Sequence, residues 1–231
     1  MTSTSSLLKQ PASTLRISRI SNVKAPSQNT YWECRKDAIY LFAAKQICRR
    51  FAKEPRSVID IGSNRTPTLE WHRASGVRLA SLDLRQPYKC AGVDSIREDF
   101  LLWQCKEPFD LVTCFQTLEH IAAAGDFAQK LLATGHIIVV SVPYKWAEGK
   151  CAWHIHDPVD EKKMLAWFGK KPKFSYVARE LNGTERLIHV YRGGPSSSAT
   201  KKKSQRKHLR KAWRLAQKFF VSNGQKKEQR S

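Results

Sequence analysis

Four short apolar runs constrain this chain more than any other feature of it: Ser57–Ile61, 77–82, Phe109–Phe115 and 136–142. Val, Ile, Leu and Phe dominate each run, so a strand made from one needs cover on both of its faces. Stretches with helical spacing separate them, and strands that alternate with helices fold into a parallel sheet with helices packed on both sides. At 231 residues the chain has room for one such domain with appendages, and too little for two.

The flanking segments complete that expectation. Ile39, Phe42, Ala43, Ile47 and Phe51 recur at intervals of three and four, which predicts a helix over 31–51 that stops before Pro55. Further helical stretches are expected over 69–74, over 118–132 and over 158–168, the last with Asp157 as its N-cap and Pro158 at its first position. Strands over 174–180 and 186–192 flank Leu181-Asn182-Gly183-Thr184, a good hairpin turn. The predicted fold is therefore α/β, a doubly wound sheet that is mostly parallel and closes with a C-terminal antiparallel hairpin, all within 31–192.

The two ends have a different composition. Residues 1–30 are rich in Ser and Thr and contain no acid, as expected of a disordered extension or of an organellar transit peptide. The Gly- and Ser-rich stretch 193–200 reads as a linker. From Gly193 onward there are twelve Lys or Arg and one acid, so this segment holds about half of the net charge of +21. Within 201–221, Leu209, Ala212, Trp213, Ala216, Phe219 and Phe220 fall on one helical face among the cations. A basic amphipathic helix of this kind suits an anionic membrane surface or nucleic acid, or packs its apolar face back on the domain. No run approaches the roughly 18 apolar residues of a membrane span. The six cysteines include no CxxC pair and read as reduced thiols, which points to a cytoplasmic protein that is at most peripheral to a membrane.

Chemistry concentrates where the apolar runs end. The run that closes in Asp60-Ile61-Gly62 turns toward a helical stretch, and Gly62 lets the backbone come close to a ligand. About twenty residues later Asp83 stands at the carboxyl end of the next strand, where a carboxylate can accept both hydroxyl hydrogens of a ribose. Asp99-Phe100 follows, and then Phe109-Asp110-Leu111-Val112 leading into Leu118-Glu119-His120.

This ordered series resembles the class I S-adenosylmethionine-dependent methyltransferases, whose sheet is Rossmann-like. The resemblance covers residues 57–142 well and extends plausibly over 153–191. It implies that Asp60 and Gly62 wall the methionine portion of S-adenosylmethionine, that Asp83 holds the ribose, and that Asp99 faces the adenine amino group while Phe100 packs on the ring. It also implies that Phe115 and Gln116 line the sulfonium end. Where the family usually carries further glycines, this chain has Asn64 and Thr66. Glu119 and His120 are expected to be structural or to support the cofactor loop.

A second cluster, Trp153-His154-Ile155-His156-Asp157, follows the fifth predicted strand and should open at the same sheet edge. His154 and His156 are the catalytic candidates, because imidazole titrates near neutrality and methyl transfer often needs a base for the acceptor's proton. Two other readings stay open: hydrogen bonds that orient the loop, or a metal bound by His-x-His with Asp157. No third or fourth ligand cluster is evident at usual spacing, so no metal is expected. The leading expectation is a methyltransferase for a polar small-molecule or glycan acceptor. The alternatives are an RNA or ribonucleoprotein methyltransferase that uses the basic tail, and a non-catalytic binding module with this fold.

Overall fold

The four apolar runs become β1 (Ser57–Ile61), β2 (Arg78–Asp83), β4 (Phe109–Phe115) and β5 (Gly135–Pro143) in the computed structural model, which describes residues 32–194. With β3 (Val93–Arg97), β6 (Phe174–Arg179) and β7 (Glu185–Arg192) they form one seven-stranded sheet in the order β3-β2-β1-β4-β5-β7-β6. All pairings from β3 to β5 are parallel, and β7 pairs antiparallel with both β5 and β6. The sheet thus has the expected mixed character. Its order reverses between β1 and β4, which opens a crevice beyond the carboxyl ends of those two strands.

Burial on both faces explains why the central runs are continuously apolar. Val58, Ile59, Leu111, Val112, Ile138 and Val139 are fully buried. Helix α1 (Ile39–Phe51) covers one face with Tyr40, Leu41, Ala44, Ile47 and Cys48. Helices α2 (Ala124–Thr134) and α3 (Glu161–Phe168) cover the other with Phe127, Ala128, Leu131, Met164 and Phe168. Phe168 stacks on Tyr191 of β7 with ring centres 4.0 Å apart, and truncating a buried ring of this kind to Ala typically costs about 3–5 kcal/mol.

The structure departs from the sequence expectations at several element ends. α1 starts at Ile39 because Ile39 N–H and Tyr40 N–H donate to the Glu180 carboxylate at 2.9 and 3.0 Å, a cap supplied from far along the chain. The expected helix over 69–74 is a single 3-10 stretch, Thr68–His72. The helix expected over 118–132 is broken: a 3-10 turn, Leu118–His120, gives way to extended backbone at Ile121 before α2 begins. α3 begins at Glu161 and not at Pro158, and its cap is Asp160, whose carboxylate accepts from Lys163 N–H at 2.8 Å. Asp157 is not the cap, because its carboxylate is engaged by His154. β3 was missed. As an edge strand with polar Asp94, Ser95 and Arg97 it pairs on one side only and needs no apolar run.

At the end of the sheet, Gly193 and Gly194 are still held by the domain, donating to the carbonyls of His136 and Leu132. A Cβ at Gly193 would lie 2.2 Å from the Gly135 carbonyl oxygen. The N-terminal extension expected over 1–30, the rest of the linker and the basic amphipathic helix expected over 201–221 lie outside the described residues. Among the described residues no helix is long and apolar enough to cross a membrane.

Candidate active site

The crevice between β1 and β4 is built first from main chain. Gly62 turns the chain after β1 with φ +74°, and its N–H donates to the Leu82 carbonyl at 2.8 Å. A Cβ there would stand 2.4 Å from Thr117 Oγ1, so both the backbone angle and the space require glycine. Asn64 and Arg65 follow in left-handed conformations, a geometry that Asn tolerates better than most residues. At the end of β2 the Asp83 carboxylate accepts from Asn64 N–H at 3.0 Å, Arg85 N–H at 2.8 Å and Gln86 N–H at 2.7 Å. Those three donors fix both loops to one carboxylate. A carboxylate has about four lone-pair sites, so capacity remains for a ligand hydroxyl.

Beyond β3, Asp99 accepts from Leu101 N–H at 2.8 Å, and Phe100 is packed against Phe127 with ring centres 4.6 Å apart. Gly62, Asp83, Asp99, Phe100, Phe115 and Gln116 all line one cavity of about 420 Å³, a size within the usual range for small-molecule sites. Asp60 lies beneath this cavity and is not part of its lining. It is 2% exposed, and its carboxylate accepts from Thr68 Oγ1 at 2.6 Å and Thr113 Oγ1 at 2.7 Å. Burial pushes its carboxyl up to about 6 in spite of those two donors.

On the β4–β5 side the polar framework is made of side chains. A second cavity of about 630 Å³ shares Arg35, Asn64, Leu84, Arg85, Gln116 and His120 with the first, and is lined further by Glu119, Trp146, Trp153, His154 and Arg186. His154 Nδ1 lies 2.8 Å from Asp157 Oδ2, with its ring stacked on Trp146 and edge-on to His120. His156 does not line this cavity. Its Nε2–H donates to the Ile121 carbonyl at 2.8 Å and its ring meets Trp167, so it pins the loop that carries His154.

Glu119 and His120, expected to be supports, both line this second cavity. The break between the 3-10 turn and α2 frees the carbonyls of Glu119 and Ile121, which take Ile155 N–H and His156 from the facing loop. His120 Nδ1 in return lies 2.8 Å from the Trp153 carbonyl oxygen. Glu119 is fully buried with no hydrogen-bond partner for either carboxylate oxygen among the described residues, and burial pushes its carboxyl up to about 8. Burial also lowers the His120 imidazole. The available signal was position: Leu118-Glu119-His120 directly follows β4 at the carboxyl edge of the sheet.

A family model for methyltransferase domains matches residues 31–180. No curated protein sequence matches the chain. Among solved structures, it is similar to the Burkholderia thailandensis 1,6-didemethyltoxoflavin N1-methyltransferase with bound 1,6-didemethyltoxoflavin and S-adenosylhomocysteine, at 17% identity and TM-score 0.60 over 73% of this chain and 84% of that one. It is also similar to the N-methyltransferase NodS of Bradyrhizobium japonicum in complex with S-adenosylhomocysteine, at 11% identity and TM-score 0.56 over 71% and 92% of the two chains. The [4+2]-cyclase SpnF, at 11% identity and TM-score 0.53 over 67% and 80%, has a similar fold. At such identities the likeness is one of fold, and a cyclase among the neighbours shows that this scaffold does not by itself dictate the reaction.

Proposed function

The chain belongs to the family of methyltransferase domains and is a class I S-adenosylmethionine-dependent methyltransferase, and from that premise we propose that its acceptor is a polar small molecule or glycan bound in the second cavity. One observation carries this reading: the second cavity shares Gln116 and His120 with the first, so a group at the far end of the cofactor would meet whatever the second cavity holds. In this reading Asp83 and Asp99 hold the nucleoside, Phe100 packs against the base, and Gly62, Phe115 and Gln116 surround the methionine and sulfonium portions. Asp60 acts from below by bracing the turn through Thr68.

Transfer is an in-line displacement. A lone pair of the acceptor attacks the methyl carbon, the carbon–sulfur bond breaks, its electron pair stays on sulfur, and S-adenosylhomocysteine leaves. The acceptor must also lose a proton. Because the Trp153 carbonyl can only accept, His120 carries its proton on Nδ1 and presents a lone pair on Nε2. His154 turns its Nδ1 to the Asp157 carboxylate, which leaves Nε2 as its other ring nitrogen. These two Nε2 atoms are the basic groups of the acceptor cavity, and Arg35, Arg85, Arg186 and the two tryptophans suit a polar, ring-bearing molecule.

The test is calorimetry with S-adenosylhomocysteine, followed by transfer of labelled methyl from S-adenosylmethionine to panels of polar small molecules, glycans and RNA. Tighter binding of NAD than of S-adenosylhomocysteine would sink the cofactor reading. Methylation confined to RNA would move the acceptor to a second reading, favoured by the charge of the segment after Gly193. In that reading residues 201–221 hold nucleic acid, or an anionic membrane surface, beside a cytoplasmic catalytic domain spanning 31–192. Deleting 195–231 and comparing RNA retention and liposome cosedimentation across a salt series separates these outcomes.

A further inference from the structure

We propose that Glu119, His120 and His154 form a binding site for one divalent transition-metal ion of the zinc class, open toward the acceptor cavity. One ligand atom from each residue lies within 4.8 Å of those of the other two, with His120 Nε2 and Glu119 Oε1 already 3.8 Å apart. Zinc bonds of about 2.0–2.2 Å put tetrahedral ligands about 3.4 Å from one another. Closing onto an ion therefore takes an inward shift of roughly 1–1.5 Å at most. The His120 side chain, 38% exposed, has room to move.

Three details favour an ion over a simple polar cluster, the first two being two consequences of one pair of contacts. The first is tautomeric: His120 gives its Nδ1 proton to the Trp153 carbonyl and His154 pairs its Nδ1 with Asp157, which leaves the Nε2 lone pair of each as the ligand. The second is the outer shell. A carbonyl behind one ring and a carboxylate behind the other are the acceptors that orient metal-bound imidazoles and raise their basicity. The third is Glu119, fully buried with both oxygens unpartnered among the described residues. A buried carboxylate without hydrogen bonds is costly, and coordination removes that cost.

Two imidazoles and one carboxylate match zinc sites, or iron(II) sites, with an open position, and not the all-oxygen shells of calcium or magnesium. His156, the other half of the His-x-His pair, takes no part because its Nε2–H is given to Ile121. The open position faces the cavity lined by Gln116 and Trp153. There the ion, occupying the two Nε2 lone pairs, would replace them as the group that frees the acceptor's proton, by holding an acceptor oxygen and lowering its pKa, a role that rests on the proposed methyl transfer, whereas the ion site itself does not.

The experiment uses untagged full-length protein stripped with a chelator and titrated calorimetrically with Zn2+ and with Co2+, without cofactor. The expected result is one ion per chain, visible Co2+ absorption bands from ordered nitrogen and oxygen ligands, and binding weakened roughly a hundredfold or more in Glu119→Gln, His120→Ala and His154→Ala. The exposed control His136→Ala should bind as wild type does. Absence of one-to-one binding, or unchanged affinity in folded His120→Ala, overturns the site. Equal losses in His136→Ala would reduce it to unspecific imidazole binding and overturn it too. If Glu119→Gln fails to melt cooperatively, the partly exposed His120 decides. S-adenosylhomocysteine titrated into the same samples keeps the cofactor reading separate, because it can fail while metal binding holds.

Discussion

On the β1–β2 side of the crevice, polar groups are positioned by main chain: three backbone N–H groups hold Asp83, and the Gly62 N–H ties its turn to β2. Across the crevice, His120 and His156 each engage a ring nitrogen with the facing loop, and His154 is set within its own loop by Asp157. The first side depends on backbone angles set by a few residues in sequence. The second depends on side chains from distant segments that meet only in the folded state. Substitutions should therefore damage the first side through strain and cofactor affinity, and the second through turnover.

The largest effect should come from Gly62→Ala. A left-handed non-glycine residue costs on the order of 1–2 kcal/mol, and forcing a methyl into packed space adds about 1–3 kcal/mol, so stability to denaturant should fall by roughly 2–5 kcal/mol. Combining it with Thr117→Ala should recover the steric part alone. A loss below about 1 kcal/mol would mean that the turn repacks, and that this side is not rigid.

Asp60→Asn tests the buried support of the same turn. The Asp60 carboxyl titrates at about 6 when folded and near 4 when unfolded. Its bound proton therefore favours the fold below pH 4, and that contribution is lost as pH rises through about 6. Relative to wild type, the variant should gain up to about 3 kcal/mol between pH 4 and 6 and nothing further above. A difference that stays flat from pH 4 to 7 would show that Thr68 and Thr113 hold the carboxylate ionised throughout.

His154→Ala probes the other side. Turnover should drop a hundredfold or more, about 2.7 kcal/mol, at nearly unchanged S-adenosylhomocysteine affinity, and His156→Ala should cost less because it acts only through the loop. Asp83→Ala should do the reverse, weakening S-adenosylhomocysteine more than tenfold, roughly 1.5–3 kcal/mol. If Asp83→Ala changed turnover alone, or His154→Ala changed cofactor affinity alone, the division between the two sides would fail.

The same division explains what could be read from sequence. The central strands were legible because burial on both faces leaves an unbroken apolar run, and Asp83 and Gly62 because strand ends in a parallel sheet meet at one edge. β3 was not, since an edge strand with Asp94 and Arg97 has no such run. Nor was the break at Ile121, where the facing loop takes the carbonyls of Glu119 and Ile121 and overrides local helical spacing. For Glu119 and His120 the sequence shows only their position, because tertiary packing alone buries one without hydrogen-bond partners among the described residues and sets the other edge-on to His154.

The cap on α1 has a consequence for how the protein is made. Glu180, which holds Ile39 N–H, is 141 residues downstream of it, and at typical rates of synthesis the two are polymerised on the order of ten seconds apart. Over that interval the first amides of α1 can bond only to water, and its apolar stripe lacks Ala178, Ile188 and Val190, which share its core. β5 meanwhile presents an unpaired edge, because its neighbour β7 is translated after every other strand of the described sheet and must insert inside β6. The nascent chain thus carries an open sheet edge and an uncovered helix face until its final hairpin emerges, and a chaperone would find its binding surface there.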